Sequence, residues 1–572
     1  MKRRLVLAAS LLWAPLPAAA QAPEYDVLIV GGRVVDGTGN PWFRADVGVR
    51  GGRVVAIGDL ASARAARVVD ARGKVVTPGF IDIHSHGGEG LASEDVRRRR
   101  APNVVTQGVT TIVINPDGGG PLGIGTQKAT LERLQIGLNT ALLVPHNTVR
   151  QAVLGDDHRR LATPTELERM RALVRTGMQE GAIGLSAGLE YVPGIWSDNE
   201  EVIALVGEIV PFGGVYIQHE RSGADAPVWW VPSRDDPEDI GVGRYSLIDN
   251  INDLVTVAER TGARVVQTHL KAKGTRYWGS AAGIISVVRR ARERGLEVYG
   301  DQYPYPTSGS DGRVTLIPGW AIDAERWSGD ESEERPDHAA ALRRTLADAD
   351  AARALRRDVE REIWYRGGAE NLIVFDYPDP SWIGRSVADL AEERGVSPLE
   401  LAFTLQLEGY PDRPGGARLR GFSFAEEDIE ALAAEPWVAT ASDGGIALPE
   451  DGPTTHARYY GTFPRKIRRY ALERGVLSVE AAVRAGTSLP AQILGLRNRG
   501  RIELGYWADL AVLDLDRVRD VADFTDPHQL SQGVEFVLVN GTFVVDGEGR
   551  VTGALPGVVI TPTAGRAAPA IP

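Results

Sequence analysis

Apolar and polar positions alternate on two different periods along this chain. Short runs rich in Val, Ile and Leu at 75–83, 109–114, 141–144, 183–185, 215–218, 265–268, 297–300 and 438–441 have the character of buried strands. Residues 167–180, 254–262, 282–295 and 386–395 repeat apolar side chains at helical spacing, and several of these stretches end on glycine, as helix C-termini commonly do. Strand followed by helix, repeated, predicts an α/β fold, here a (β/α)8 TIM-type barrel over residues 75–497. A doubly wound nucleotide-binding sheet competes for this pattern. It is disfavoured because no Gly-X-Gly-X-X-Gly follows the first strand and because polar residues gather at strand C-terminal ends, where a barrel keeps its site.

Both flanks read differently. Short strands at 25–30, 33–35, 45–49 and 54–57 are separated by Gly31-Gly32 and Gly51-Gly52, and the same grammar returns at 508–513, 536–539 and 542–545 around Asn540-Gly541. They predict one small β-sandwich built from both chain ends, residues 21–74 plus 498–557. Two segments exceed ordinary barrel loops. Residues 221–245 carry Trp229-Trp230, which could line an acyl pocket or anchor the insert, and an acidic run. Residues 321–364 form a charged helical insert between the seventh and eighth strands. Residues 558–572, rich in Pro and Ala, are expected to be a disordered tail.

Composition narrows the setting. The formal charge is −12 and no long Lys/Arg run occurs, so neither nucleic acid nor a membrane surface is an expected partner. Residues 1–20 combine Lys2-Arg3-Arg4, a short apolar core and Ala18-Ala19-Ala20, which is the form of a signal peptide. A soluble periplasmic or secreted protein is therefore expected. The chain has no cysteine, so neither disulfides nor thiolate metal ligands are available. Oligomeric state is not legible; a homo-oligomer is allowed.

The chemistry starts at the end of the first strand, in Asp82-Ile83-His84-Ser85-His86. A strand alternates its faces, so His84 and His86 point to one side and can hold one ion. His-X-His pairs also occur on exposed strands that bind nothing. Here, however, His219 and His269 end later strands and Asp443 follows the last. The order His-X-His, His, His, Asp resembles the metal pattern of the amidohydrolase superfamily, in which the last carboxylate binds metal and shuttles the proton.

Leu185-Ser186-Ala187-Gly188-Leu189-Glu190-Tyr191, His269-Leu270-Lys271, Asp301-Gln302-Tyr303-Pro304-Tyr305 and His456-Ala457-Arg458-Tyr459-Tyr460-Gly461-Thr462-Phe463 are similar to the D-aminoacylase (N-acyl-D-amino-acid deacylase) family, over about residues 25–557. The resemblance implies a metal-dependent hydrolase of N-acyl amino acids, with the D configuration expected. His84, His86, His219, His269 and Asp443 would be its metal ligands, and Asp443 its acid–base. Lys271, Tyr303 and Arg458 would bind the substrate's α-carboxylate, and His146 and Glu190 would lie just behind the ligands. Where family members commonly carry a bridging cysteine, this chain reads Asn115-Pro116-Asp117-Gly118. Asp117 could bridge two ions, bind one, or only shape the turn. The implied cofactor is zinc, one or two ions. Oxygen in place of sulfur leaves manganese or cobalt open. Two other readings compete: a superfamily hydrolase of cyclic amides, lactones, dipeptides or carbamates, and a non-catalytic periplasmic binding protein.

Overall fold

A computed structural model describes residues 23–227, 230–235, 246–308, 314–324 and 337–562. The expected signal segment 1–20, Trp229 and the acidic residues 236–239 lie outside the described residues.

Eight strands, Phe80–Asp82, Val109–Ile114, Asn139–Pro145, Gly184–Gly188, Val215–His219, Arg264–Gln267, Val298–Gln302 and Val438–Thr440, pair in sequence order and in parallel. A parallel bridge between Ser85 and Gly444 joins the first to the last and closes the barrel. Every residue of Val109–Ile114 and Asn139–Pro145 is buried, as expected of strands covered on both faces. The surrounding helices begin where the sequence supplies caps. Thr163 and Glu166 form a capping box ahead of Pro164–Gln179, and Ser246 with Asp249 does the same for Leu247–Thr261.

Both chain ends build the sandwich. One sheet holds Tyr25–Val30, Asp46–Arg50, Arg53–Gly58 and Ala65–Asp70. In the other, Val75–Pro78 lies between Arg33–Val34 and the C-terminal strand Leu510–Leu513. Val27, Ile29, Val47, Val76, Leu510 and Leu538 fill the space between them. Gly79 alone separates this sheet from the first barrel strand. A Cβ there would lie 2.2 Å from the Thr110 side chain, so only glycine lets the chain cross between the two layers.

The insert between the seventh and eighth strands is larger than the expected 321–364. Helices His338–Ala347, Ala349–Tyr365, Val387–Arg394 and Pro398–Glu408, with the antiparallel pair Leu372–Asp376 and Arg418–Gly421, share a core of their own around Leu342, Leu355, Val387, Leu401 and Leu419. The helix read at 386–395 therefore faces this core and not the barrel. An amphipathic stripe reports that a helix is half buried, not against what. His338 is buried here and meets the Ile322 carbonyl at 2.6 Å.

The expected tail also begins differently. Val559–Ile560 adds in parallel to the third barrel strand, opposite Thr140 and Ala141. Gly557 permits this, because a Cβ there would sit 2.1 Å from the Leu138 carbonyl oxygen. Residues 563–572 lie outside the described residues.

Candidate metal centre

The barrel closure sets the first half of the site. Beyond the eighth strand, the Asp443 N–H donates to the His84 carbonyl at 2.9 Å, and the His86 N–H donates to Gly444 at 2.8 Å. Asp82 accepts from the backbone N–H of both His84 and Ser442, at 3.2 and 3.0 Å, and from the Ser442 hydroxyl. Strands one and eight are thus tied just below their functional ends. His84 Nε2 lies 3.4 Å and His86 Nε2 3.0 Å from Asp443 Oδ1.

Asp117 supplies the link to the second half. His84 Nε2 is 3.3 Å and His219 Nδ1 3.6 Å from its Oδ1, while His86 Nε2 is 3.4 Å from its Oδ2. His219 Nδ1 and His269 Nε2 converge to 2.7 Å. Two donor groups result, His84–His86–Asp117–Asp443 and Asp117–His219–His269, and Asp117 belongs to both. Its loop is pinned by Ser186, whose hydroxyl donates to the Asn115 carbonyl at 2.6 Å and accepts the Gly118 N–H at 3.2 Å. That structural duty accounts for Ser186 without nucleophilic chemistry.

Three of these residues carry backbone strain. Asp117, His269 and Asp443 have φ of 53°, 33° and 47°, in the left-handed region that non-glycine residues avoid. Such strain is of order 1–3 kcal/mol each and persists where the surroundings over-determine it, commonly at functional sites.

The donors fit a divalent cation. Both ring nitrogens of His84 and Asp117 Oδ1 are buried without a hydrogen-bond partner. Burial opposes charge on His84, yet Asp117 and Asp443 outweigh it and hold the imidazole well above its usual range. For His219 burial is again outweighed, chiefly by Asp117, and its pKa rises to about 9. Without a metal, the carboxylates draw protons onto His84, His86 and His219, and an ion in their midst satisfies the same demand for positive charge. The all-N/O set suits zinc and equally admits other divalent ions.

The remaining expected residues divide. Glu190 reaches His219 Nε2 at 3.1 Å, the place of a carboxylate that orients a ligand histidine. Lys271 pairs with Glu220 at 3.0 Å and meets His269 Nδ1 at 2.9 Å. Arg458 pairs with Asp443 Oδ2 at 2.8 Å and lies over the Tyr303 ring at 4.6 Å. Burial would raise the Asp443 carboxyl, but Arg458 and His84 hold it well below the usual carboxylate range. Lys271, Tyr303 and Arg458 line one cavity with His86, Asp117, His219, His269 and Asp443.

His146 is not brought to this cluster. Its Nε2 meets Glu201 at 2.8 Å, and Glu201 also pairs with the fully buried Arg150, a network that joins two outer helices instead. The chain turns into a helix directly after the third strand, which carries His146 outward.

Two carboxylates escaped the sequence reading. Glu220 faces both His269 and Lys271, and Asp301 accepts the His269 N–H at 2.6 Å with its other oxygen 3.7 Å from His84 Nδ1. Asp301 opens a segment already singled out and Glu220 directly follows His219, and those positions were the available signal.

A model described as an amidohydrolase family matches residues 67–195 and 337–545. N-acyl-D-glutamate deacylase of Alcaligenes xylosoxydans xylosoxydans is 31% identical, over 91% of this chain and 94% of its own. A solved D-aminoacylase, described with a binuclear metal centre, is 28% identical, with a TM-score of 0.68 over 94% of this chain and all of its own. N-acyl-D-glutamate deacylase from Bordetella bronchiseptica, solved with zinc and a phosphonate mimic of the tetrahedral intermediate, is also 28% identical. Its TM-score is 0.69 over 94% of this chain and 99% of its own.

Proposed function

The chain belongs to the amidohydrolase family, and from that premise we propose that it hydrolyses the amide bond of N-acyl-D-amino acids, releasing a carboxylate and a free D-amino acid. The observation that carries this reading is the meeting of two donor groups on Asp117, beside a buried Arg458 and Lys271, in one cavity at the strands' C-terminal ends. His84, His86, Asp117 and Asp443 would hold one divalent ion, and Asp117, His219 and His269 a second. Zinc is the first candidate, from the relative that contains it. Such an ion, when bound, lowers the pKa of water and polarises an amide carbonyl.

The side chains do the rest. Asp443, kept ionised by Arg458, would take the proton of the attacking water and return it to the leaving nitrogen. Arg458 presents a guanidinium to the cavity and would clamp the substrate's α-carboxylate. The Tyr303 ring lies 4.6 Å from that guanidinium and would bound the same carboxylate site. Lys271 is anchored by Glu220, so its cation is positioned before substrate arrives. Among the described residues, no helix is long and apolar enough to cross a membrane. Export rests on residues 1–20 alone and forms part of the proposal.

The test is hydrolysis of paired N-acetyl-D- and N-acetyl-L-amino acids by the purified protein, before and after chelation and zinc readdition. Metal-dependent release of the D-amino acid is expected. Turnover of cyclic amides in place of both enantiomers would refute the reading.

A further inference from the structure

Two lysines of the segment His269-Leu270-Lys271-Ala272-Lys273 line the cavity, and they differ in one respect. Lys271 has a counter-ion in Glu220 at 3.0 Å. Lys273 is only 4% exposed, and among the described residues no carboxylate forms an ion pair with it. Its Nζ sits 4.2 Å from the centre of the Tyr365 ring, and Tyr365 also lines the cavity. The same ring carries the guanidinium of Arg361 at 4.8 Å and that of Arg366 at 5.7 Å, and Arg366 is already paired with Glu362 at 2.6 Å. The backbone holds Lys273 in place, its N–H donating to the Gly223 carbonyl at 3.0 Å.

A buried lysine without an ion-paired carboxylate is costly unless something supplies the missing charge. Burial, reinforced by Arg366, outweighs the attraction of Glu190 and Glu362, neither of which forms an ion pair with it, and holds its ammonium well below the usual lysine range. A cation–π contact offsets only part of that. The group that would complete this site is an anion arriving through the cavity. It is separate from the α-carboxylate, for which Arg458 stands beside Asp443.

We propose that Lys273 binds a second carboxylate of the substrate, so that the enzyme's preferred substrates are dianionic N-acyl-D-amino acids. The inference rests on the deacylase reading and narrows it. The second carboxylate has two sources, the side chain of an acidic amino acid or a dicarboxylic acyl group, and both present the same chemistry to an ammonium.

The experiment compares kcat/KM of the metal-loaded full chain on two matched pairs, N-acetyl-D-glutamate against N-acetyl-D-glutamine and N-succinyl-D-leucine against N-butyryl-D-leucine. A preference of about ten- to a hundredfold for the acidic member is expected in one pair, as befits a charged hydrogen bond, and the pair that shows it identifies the source. Lys273→Met should abolish that preference while leaving the neutral member within about threefold, and Lys273→Arg should restore part of it. Metal content and melting temperature of each variant check that the fold is kept. Equal turnover within both pairs by the unaltered enzyme overturns the inference and leaves the deacylase reading standing. A Lys273→Met variant that loses acidic and neutral members alike assigns the residue to structure and also overturns it. Failure to hydrolyse any of the four sinks the deacylase reading, and this inference with it.

Discussion

Gly188 ends the fourth barrel strand against the loop that carries Asp117. A Cβ at this position would lie 2.1 Å from the Asp117 carbonyl oxygen and 2.9 Å from its carbonyl carbon. Gly188 is not among the glycines with positive φ, so Gly188→Ala strains no dihedral and acts through space alone. A carbon–oxygen contact needs about 3.3 Å, so the Asp117 backbone must retreat by more than about 1 Å. Metal ligands tolerate roughly 0.2 Å, and a 1 Å misplacement near the chemistry costs on the order of a hundredfold in rate. Zinc affinity should therefore fall by about ten- to a hundredfold, with kcat falling even at saturating metal. The assay is competition with a chelator at fixed free zinc, followed by kinetics on N-acetyl-D-amino acids. Gly184→Ala is the control. Its Cβ would meet the Val215 carbonyl oxygen at 2.0 Å at the other end of the same strand, so it should lower stability while zinc affinity of the folded fraction holds. Unchanged zinc affinity in a folded Gly188→Ala protein would refute the placement of Asp117 as a ligand.

Asp443→Asn should retain metal yet lose about 10²- to 10⁴-fold in kcat, read by metal analysis alongside steady-state kinetics; full activity would remove Asp443 as the proton carrier. Asp117→Cys should keep activity with zinc while weakening manganese binding, measured by competition between the two ions, because a thiolate is the softer ligand. Glu201→Gln should cost about 3–5 kcal/mol in urea unfolding, since it leaves the buried Arg150 without its counter-ion. Burial opposes ionisation of Glu201, but His146 and Arg150 hold its carboxyl below the ordinary glutamate range. The pair's contribution is thus complete above that range and is lost as pH falls through it towards the lower folded value, a slope that Glu201→Gln should flatten.

Much of the site was legible because barrel strands are short and their ends are marked. His84 and His86 obey strand alternation, and His219, His269 and Asp443 each stop an apolar run. Glu220 was hidden by the same rule. In a continuing strand it would face away from His219, but the strand ends at His219 and alternation no longer applies. Lys273 offered no spacing signal, since what sets it apart is the want of an ion-paired carboxylate among the described residues. His146 shows the converse, a histidine in the right place along the chain that the next helix carries away from the metal side. The flanking strands could be read as a sandwich because their turns are explicit. The size of the insert could not, because a helix pattern does not name the core it packs on.

The strand Val75–Pro78 leads through Gly79 into the strand that presents His84 and His86, and its neighbour in the sheet is Leu510–Leu513. The support for the first two histidines therefore comes from a strand that follows every residue of the two donor groups along the chain. A nascent or truncated chain carries all four metal-binding histidines but lacks the strand that braces two of them. Pairing between strands so far apart along the chain closes a long loop and is slow to form. The sandwich, remote from the chemistry, thereby makes the footing of His84 and His86 depend on the pairing of Val75–Pro78 with Leu510–Leu513.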